Sequence, residues 1–189
     1  QIYVSGCSGD VTAGKYNDGS QANRELLANR LYVAMQAASA ATVKHALKSA
    51  DVRVARLDLP YRQEEQFQAD ALLTRIHNDK LDVRQRIHAA MSLSSRMRVV
   101  AGAPIDLPVV DLGAAQIVLF PGEAFVGYQL MAQEMRPDKF VLSIGYGECW
   151  PGYIPTKSSV EDKFEDTWLW VAPGCEEPIR TALKKTQKG

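Results

Sequence analysis

Residues 115–144 constrain this chain more than any other stretch. An apolar run, Ala115-Gln116-Ile117-Val118-Leu119-Phe120, stops at Pro121-Gly122. Amphipathic helical spacing follows, with Phe125, Tyr128, Ala132 and Met135 on one face. A second apolar run, KFVLSI at 139–144, closes the unit. Strand, helix and strand in that length predict a parallel crossover. Two parallel strands end on the same sheet edge, where open α/β sheets place their ligands. Glu123 stands at the exit of the first strand and the loop GYGECWPGYIPT at the exit of the second.

The rest of the chain supports one mixed α/β domain over residues 1–189, with a partly parallel sheet flanked by helices. Residues 2–6 predict a short strand leading into GCSGDVTAGKYNDGS, which is loop chemistry. A long helix follows, with Leu27, Leu31, Ala34 or Met35, and Ala38 on its inner face and an Ala-rich second half, AMQAASAATVKHALK, that carries His45. Val52, Val54, Leu57 and Leu59 alternate with charged residues, but the step from 54 to 57 breaks the period and predicts a bulge. Two charged helices are expected over 63–77 and 82–100, and a strand IDLPVVD over 105–111. A last strand is expected at 168–172 and a last helix at 175–187.

Composition narrows the function. A chain of 189 residues can bury roughly 70% of its unfolded surface. Lys+Arg and Asp+Glu both number 22, so no net field steers nucleic acid or anionic membrane to it. Arg84, Arg86, Arg96 and Arg98 lack interleaved aromatics and read as a solvated basic face. No run is long and apolar enough for a membrane span, and no secretory signal pattern is present. The first residue is Gln1 and the next already resemble a strand, so the chain is expected to be cut from, or processed from, something longer. Cys7, Cys149 and Cys175 make no disulfide framework, although a Cys149–Cys175 bridge stays open.

GDVTAG near the start, FPGE in the middle and GYIPT about thirty residues later, taken in order, resemble the neutral/alkaline ceramidase family. The bacterial ceramidase-like proteins of unassigned substrate are the nearer likeness. The resemblance covers nearly the whole chain and matches the C-terminal part of that catalytic domain. It implies a zinc-dependent hydrolase of N-acyl, lipid-like amides, outside the cytoplasm. Zinc in that family is held by two histidines, a glutamate and a tyrosine, and the last two match Glu123 and Tyr153. The histidines would come from the upstream part of the same protein. The family's serine near the metal falls on Thr12, beside Asp10. Its second tyrosine falls on Phe164, which has no hydroxyl.

The residues leave other readings open. Glu123 could be only a helix-start acid, Tyr153 a loop residue packed on the sheet, Asp10 a loop-orienting acid and Thr12 a cap. His45, His77 and His88 show no ligand spacing with one another. Glu148 could pair with Glu123 in a metal-free hydrolase. Trp150 could line a pocket or cover the core. Cys149 has no histidine placed to activate it. A non-catalytic binding or assembly domain on the same fold is the alternative function.

Overall fold

The computed structural model describes residues 2–148 and 150–188. Its architecture is mixed α/β. Strands β1 (Asp51–Leu57), β2 (Ile105–Asp111), β3 (Ala115–Leu119) and β5 (Phe140–Ile144) form a sheet in the order β1-β2-β3-β5. The pairs β1/β2 and β2/β3 are antiparallel, and β3/β5 is parallel from Ala115↔Phe140 to Leu119↔Ile144. Two-residue strands β4 (Glu123–Ala124) and β6 (Tyr153–Ile154) form a second, parallel ladder just beyond that edge. Helices are α1 (Gln21–Ala40), α2 (Ala69–Ile76), α3 (Val83–Val100), α4 (Val126–Glu134), α5 (Lys157–Glu161) and α6 (Glu176–Thr186).

The core lies on one face of the sheet. Ala55, Leu57, Leu107, Val109, Val118, Phe120 and Val141 project into it and meet Phe125, Tyr128 and Ala132 of the α4 segment and Ile179 and Leu183 of α6. α6 packs on β1, β2 and α4. Tyr128 is fully buried, and its hydroxyl donates to the Pro155 carbonyl at 2.8 Å. A buried phenol needs such a partner, and this one ties α4 to the residues just after β6.

At the end away from the crossover exits sits a charged cluster. Asp111, 9% exposed, accepts from Lys139 Nζ at 2.8 and 2.9 Å and from Gln116 at 2.8 Å. Arg53 bridges Asp111 to the Thr186 carbonyl at the end of α6, where the helix dipole favours a cation. Arg136 donates to the Gln187 carbonyl. These contacts fasten the C-terminal helix to three strands of the sheet.

The opposite face of the sheet is largely uncovered among the described residues. Val52 and Val54 are 63% and 54% exposed, and Phe140 is 70% exposed. They adjoin half-buried Pro108, Val110 and Ile117 through the ladder register. Contiguous apolar surface of this kind is usual at an interface. Helix α1 buries none of its residues, and Leu26, Leu31, Tyr32, Val33 and Met35 are all exposed.

Several expectations are corrected. Residues 2–6 form no strand, although Gly145 N–H donates to the Ser5 carbonyl at 2.9 Å. β1 pairs with β2 over seven consecutive positions without a bulge. Val52 and Val54 face outward while Ala55 and Leu57 face inward, so the apolar residues sit on both faces and their step needs no bulge. α1 ends at Ala40, so the KHALK stretch expected in it is not helical, and none of its expected inner face is buried. Residues 168–172 supply only isolated bridges, Gly152↔Leu169 and Tyr61↔Val171.

Candidate functional site

Three loops meet at the edge where β3 and β5 both end. The segment after β3 makes a turn at Gly122, whose φ of 54° suits glycine. Gly122 N–H donates to the Glu148 carbonyl and its own carbonyl accepts from Tyr146 N–H, at 2.8 and 3.0 Å. Glu123 N–H donates to the Gly152 carbonyl at 2.8 Å. From the third loop, Gly9 N–H donates to the Ala124 carbonyl at 3.1 Å. A Cβ on Gly9 would lie 2.3 Å from the Glu123 carbonyl oxygen, so that approach requires glycine.

Glu123 does not lie in the first helical turn. It lies in β4, three residues ahead of α4. The helix-start role falls instead to Asp10, whose Oδ1 accepts from Val126 N–H at 2.8 Å. Phe125, at the N-cap position, offers no side-chain bond. A carboxylate from the third loop therefore satisfies one of the amides that every helix start leaves open. Thr12 is exposed, and its Oγ1 accepts from Gly14 N–H at 3.3 Å at the start of a 3-10 turn over Ala13–Tyr16.

Parallel pairing sets Glu123 directly beside Tyr153. Both are half-buried. Burial pushes the Glu123 carboxyl above its ordinary value, and the Asp166 charge adds to that, while a hydrogen bond from Tyr153 opposes it. Burial also raises the Tyr153 phenol, followed by the charge of Glu123 and then of Asp166. Two acidic side chains whose anionic forms disfavour each other form a pair that a nearby cation would stabilise. Phe164 stacks edge-on against Tyr153 at 5.6 Å and against Phe125 at 4.9 Å. It closes one wall of the pair with hydrocarbon.

Other residues from the sequence reading lie elsewhere. Glu148 is held by Trp150 Nε1 at 3.2 Å and Arg98 at 3.7 Å, so its carboxylate is committed to the α3 side. Trp150 stacks on Tyr61 and lies under the Arg98 guanidinium at 4.6 Å, so it covers core. Arg84 is exposed as expected, but two other arginines of α3 are less solvated: Arg86 donates to the Ile76 carbonyl and Arg96 to the Arg62 carbonyl and Gln68. His45 and His77 are exposed, and half-buried His88 packs on Trp168 at 4.9 Å. Among the described residues, no three His, Cys, Asp or Glu side chains gather as a metal site. Cys7 and Cys175 are buried thiols, each pushed up to about 12 by burial. Cys149 lies outside the described residues.

Two neighbours escaped the sequence reading. Asp166 bears on both Glu123 and Tyr153, and its own Oδ1 accepts from Trp168 N–H at 2.8 Å. Tyr146 places its hydroxyl 3.0 Å from Ser8 Oγ. Only the glycines on either side of Tyr146 hint at its special backbone. No family model, no curated protein and no solved structure matches this chain.

Proposed function

We propose that this chain is the C-terminal part of the catalytic domain of a zinc-dependent, ceramidase-like amidohydrolase that cleaves an N-acyl amide. The observation that carries the reading is the side-by-side setting of Glu123 and Tyr153 on paired strands at the sheet edge. The residues present fit half of a zinc site. Carboxylate and phenolate oxygens are acceptable ligands, but a catalytic site needs three protein ligands and an open position. The remaining ligands, histidines on this reading, come from the upstream part of the same protein. The bare sheet face and the unpacked α1 give such a part somewhere to rest.

A bound zinc ion would supply Lewis acidity and an activated water. This chain's residues would do the holding and positioning. Glu123 and Tyr153 supply the oxygen ligands. Asp10 fixes the third loop against α4, and Thr12 two residues later offers its hydroxyl to the substrate. The substrate is an N-acyl, lipid-like amide, and the same reading sets the intact protein outside the cytoplasm.

Phe164 and the extent of the bare sheet favour a second reading, a binding or assembly domain that has lost its metal chemistry. Zinc content separates the two. In the protein as its natural gene encodes it, zinc is expected at one per chain with hydrolysis of N-acyl amides. Glu123→Ala is expected to lose at least tenfold in zinc affinity, within the range that loss of supporting groups alone can reach. Unchanged zinc in that variant would remove Glu123 from the ligand set, and a zinc-free natural protein would favour the binding domain.

A further inference from the structure

Between α2, α3 and the 166–170 segment lies a cavity of about 180 Å³ that the zinc reading does not use. Its floor is apolar. Leu72 of α2, Ala89 of α3 and Trp170 line it and are at most 3% exposed, and Phe67 adds a ring. Trp170 Nε1 donates to the Thr167 carbonyl at 3.2 Å, which fixes the indole in its own loop. α3 adds a polar stripe. Gln85, His88 and Ser92 fall at i, i+3 and i+7, on one face of that helix.

Ser92 is the group that calls for a ligand. It is 6% exposed, yet its hydroxyl makes no hydrogen bond among the described residues. A hydroxyl inside a helix can donate to the carbonyl one turn back. Thr74 and Thr186 do so, to Asp70 and Ala182 at 2.8 and 2.9 Å, and Ser92 does not. Nor is its oxygen sealed from solvent, as Ser143 Oγ is, so the cavity reaches it. A buried polar group without a partner is costly, and a molecule in the cavity would supply one.

The charges at the mouth point the same way. Arg75 and Asp166 line this one cavity, both exposed, and do not pair with each other. Arg75 makes no ion pair or hydrogen bond among the described residues. Asp166 uses one carboxylate oxygen on Trp168 N–H and keeps the other. Opposite charges that share a small cavity unpaired suit a guest that carries both. The volume admits about six water-sized groups.

We propose that this cavity binds a small free α-amino acid, independently of the zinc chemistry. Its carboxylate takes hydrogen bonds from Ser92 and from Arg75, whose planar fork suits such a group. Its ammonium faces the free oxygen of Asp166. Its apolar side chain lies on Leu72 and Trp170.

The test titrates L-alanine, L-valine and L-leucine into the protein as its natural gene encodes it, followed by the indole N–H resonance of Trp170. At least one is expected to bind with a Kd of about 1 mM or tighter. Isovalerate and isobutylamine are valine without its ammonium and without its carboxylate. Each should bind at least about tenfold more weakly, the worth of one charged hydrogen bond. Arg75→Ala and Ser92→Ala should each weaken the amino acid by a similar factor. Without ligand, Ser92→Ala should melt no lower than wild type, since it removes a buried hydroxyl that has no partner. A Trp170 signal that ignores all three amino acids overturns the proposal. Equal binding of either half-charged compound, or of either variant, overturns it as well. So does a clearly lower Ser92→Ala melt, because the hydroxyl would then already be partnered.

Discussion

Gly152→Ala is expected to disrupt the β4/β6 edge and to destabilise the protein by at least about 4 kcal/mol, a value reached only by a few mechanisms. Gly152 has φ of 70°, where a Cβ costs about 1–2 kcal/mol. The added carbon would also lie 2.1 Å from the Trp168 carbonyl oxygen and 3.3 Å from the Trp170 ring. The first of these is backbone and cannot swing away. Gly152 carries the carbonyl that accepts from Glu123 N–H, so any shift spreads the β4/β6 ladder and separates Glu123 from Tyr153. Gly19→Ala is the control. Gly19 has φ of 80° with nothing near its would-be Cβ, so it should show the backbone cost alone. Thermal unfolding of both variants checks this, and equal melting temperatures would contradict the close approach.

Asp111→Ala is expected to cost about 3–5 kcal/mol, the usual result of removing one member of a buried ionic cluster. Lys139, whose side chain is 14% exposed, would lose its anion, and Arg53 would lose one of two. The wild-type cluster also gives a pH signature. Burial pushes the Asp111 carboxyl up, but bonds from Lys139, Gln116 and the Gly113 amide outweigh it and hold the group well below the usual carboxylate range. A carboxyl depressed by folding contributes stability above its unfolded pKa of about 3.9 and loses it as pH falls toward the folded value. Wild-type Tm should therefore fall steeply below about pH 4, and Asp111→Ala should flatten that slope. A variant that melts like wild type at neutral pH would show that the cluster does not fasten α6.

What could be read in the sequence follows from how much chain each feature uses. β3 and β5 are five-residue apolar runs separated by a helical period, and their parallel pairing is the crossover that residues 115–144 predict. The β4/β6 ladder is two residues deep, too short for any period, so the adjacency of Glu123 and Tyr153 could be posed only through the order of motifs. β1 misled because Val52 and Val54 face the bare side. Apolar residues on both faces erase the alternation that marks a half-buried strand. α1 has helix-forming sequence, but it stops at Ala40, short of the KHALK stretch expected in it, and no local signal tells which surface it will find. Asp166 and Tyr146 reach the site through tertiary packing and a left-handed turn, and neither leaves a spacing pattern.

On the function proposed above, Glu123 and Tyr153 jointly bind a cation. The most direct measurement is the 13Cζ resonance of Tyr153 near neutral pH, followed as Zn2+ is added to wild type and to Glu123→Ala. Movement toward the phenolate position is expected in wild type, because metal charge must lower a phenol pKa of about 10 before it can bind. Little or no movement is expected in the variant at the same concentrations. A Tyr153 signal that ignores zinc, or responds equally with and without Glu123, would contradict it.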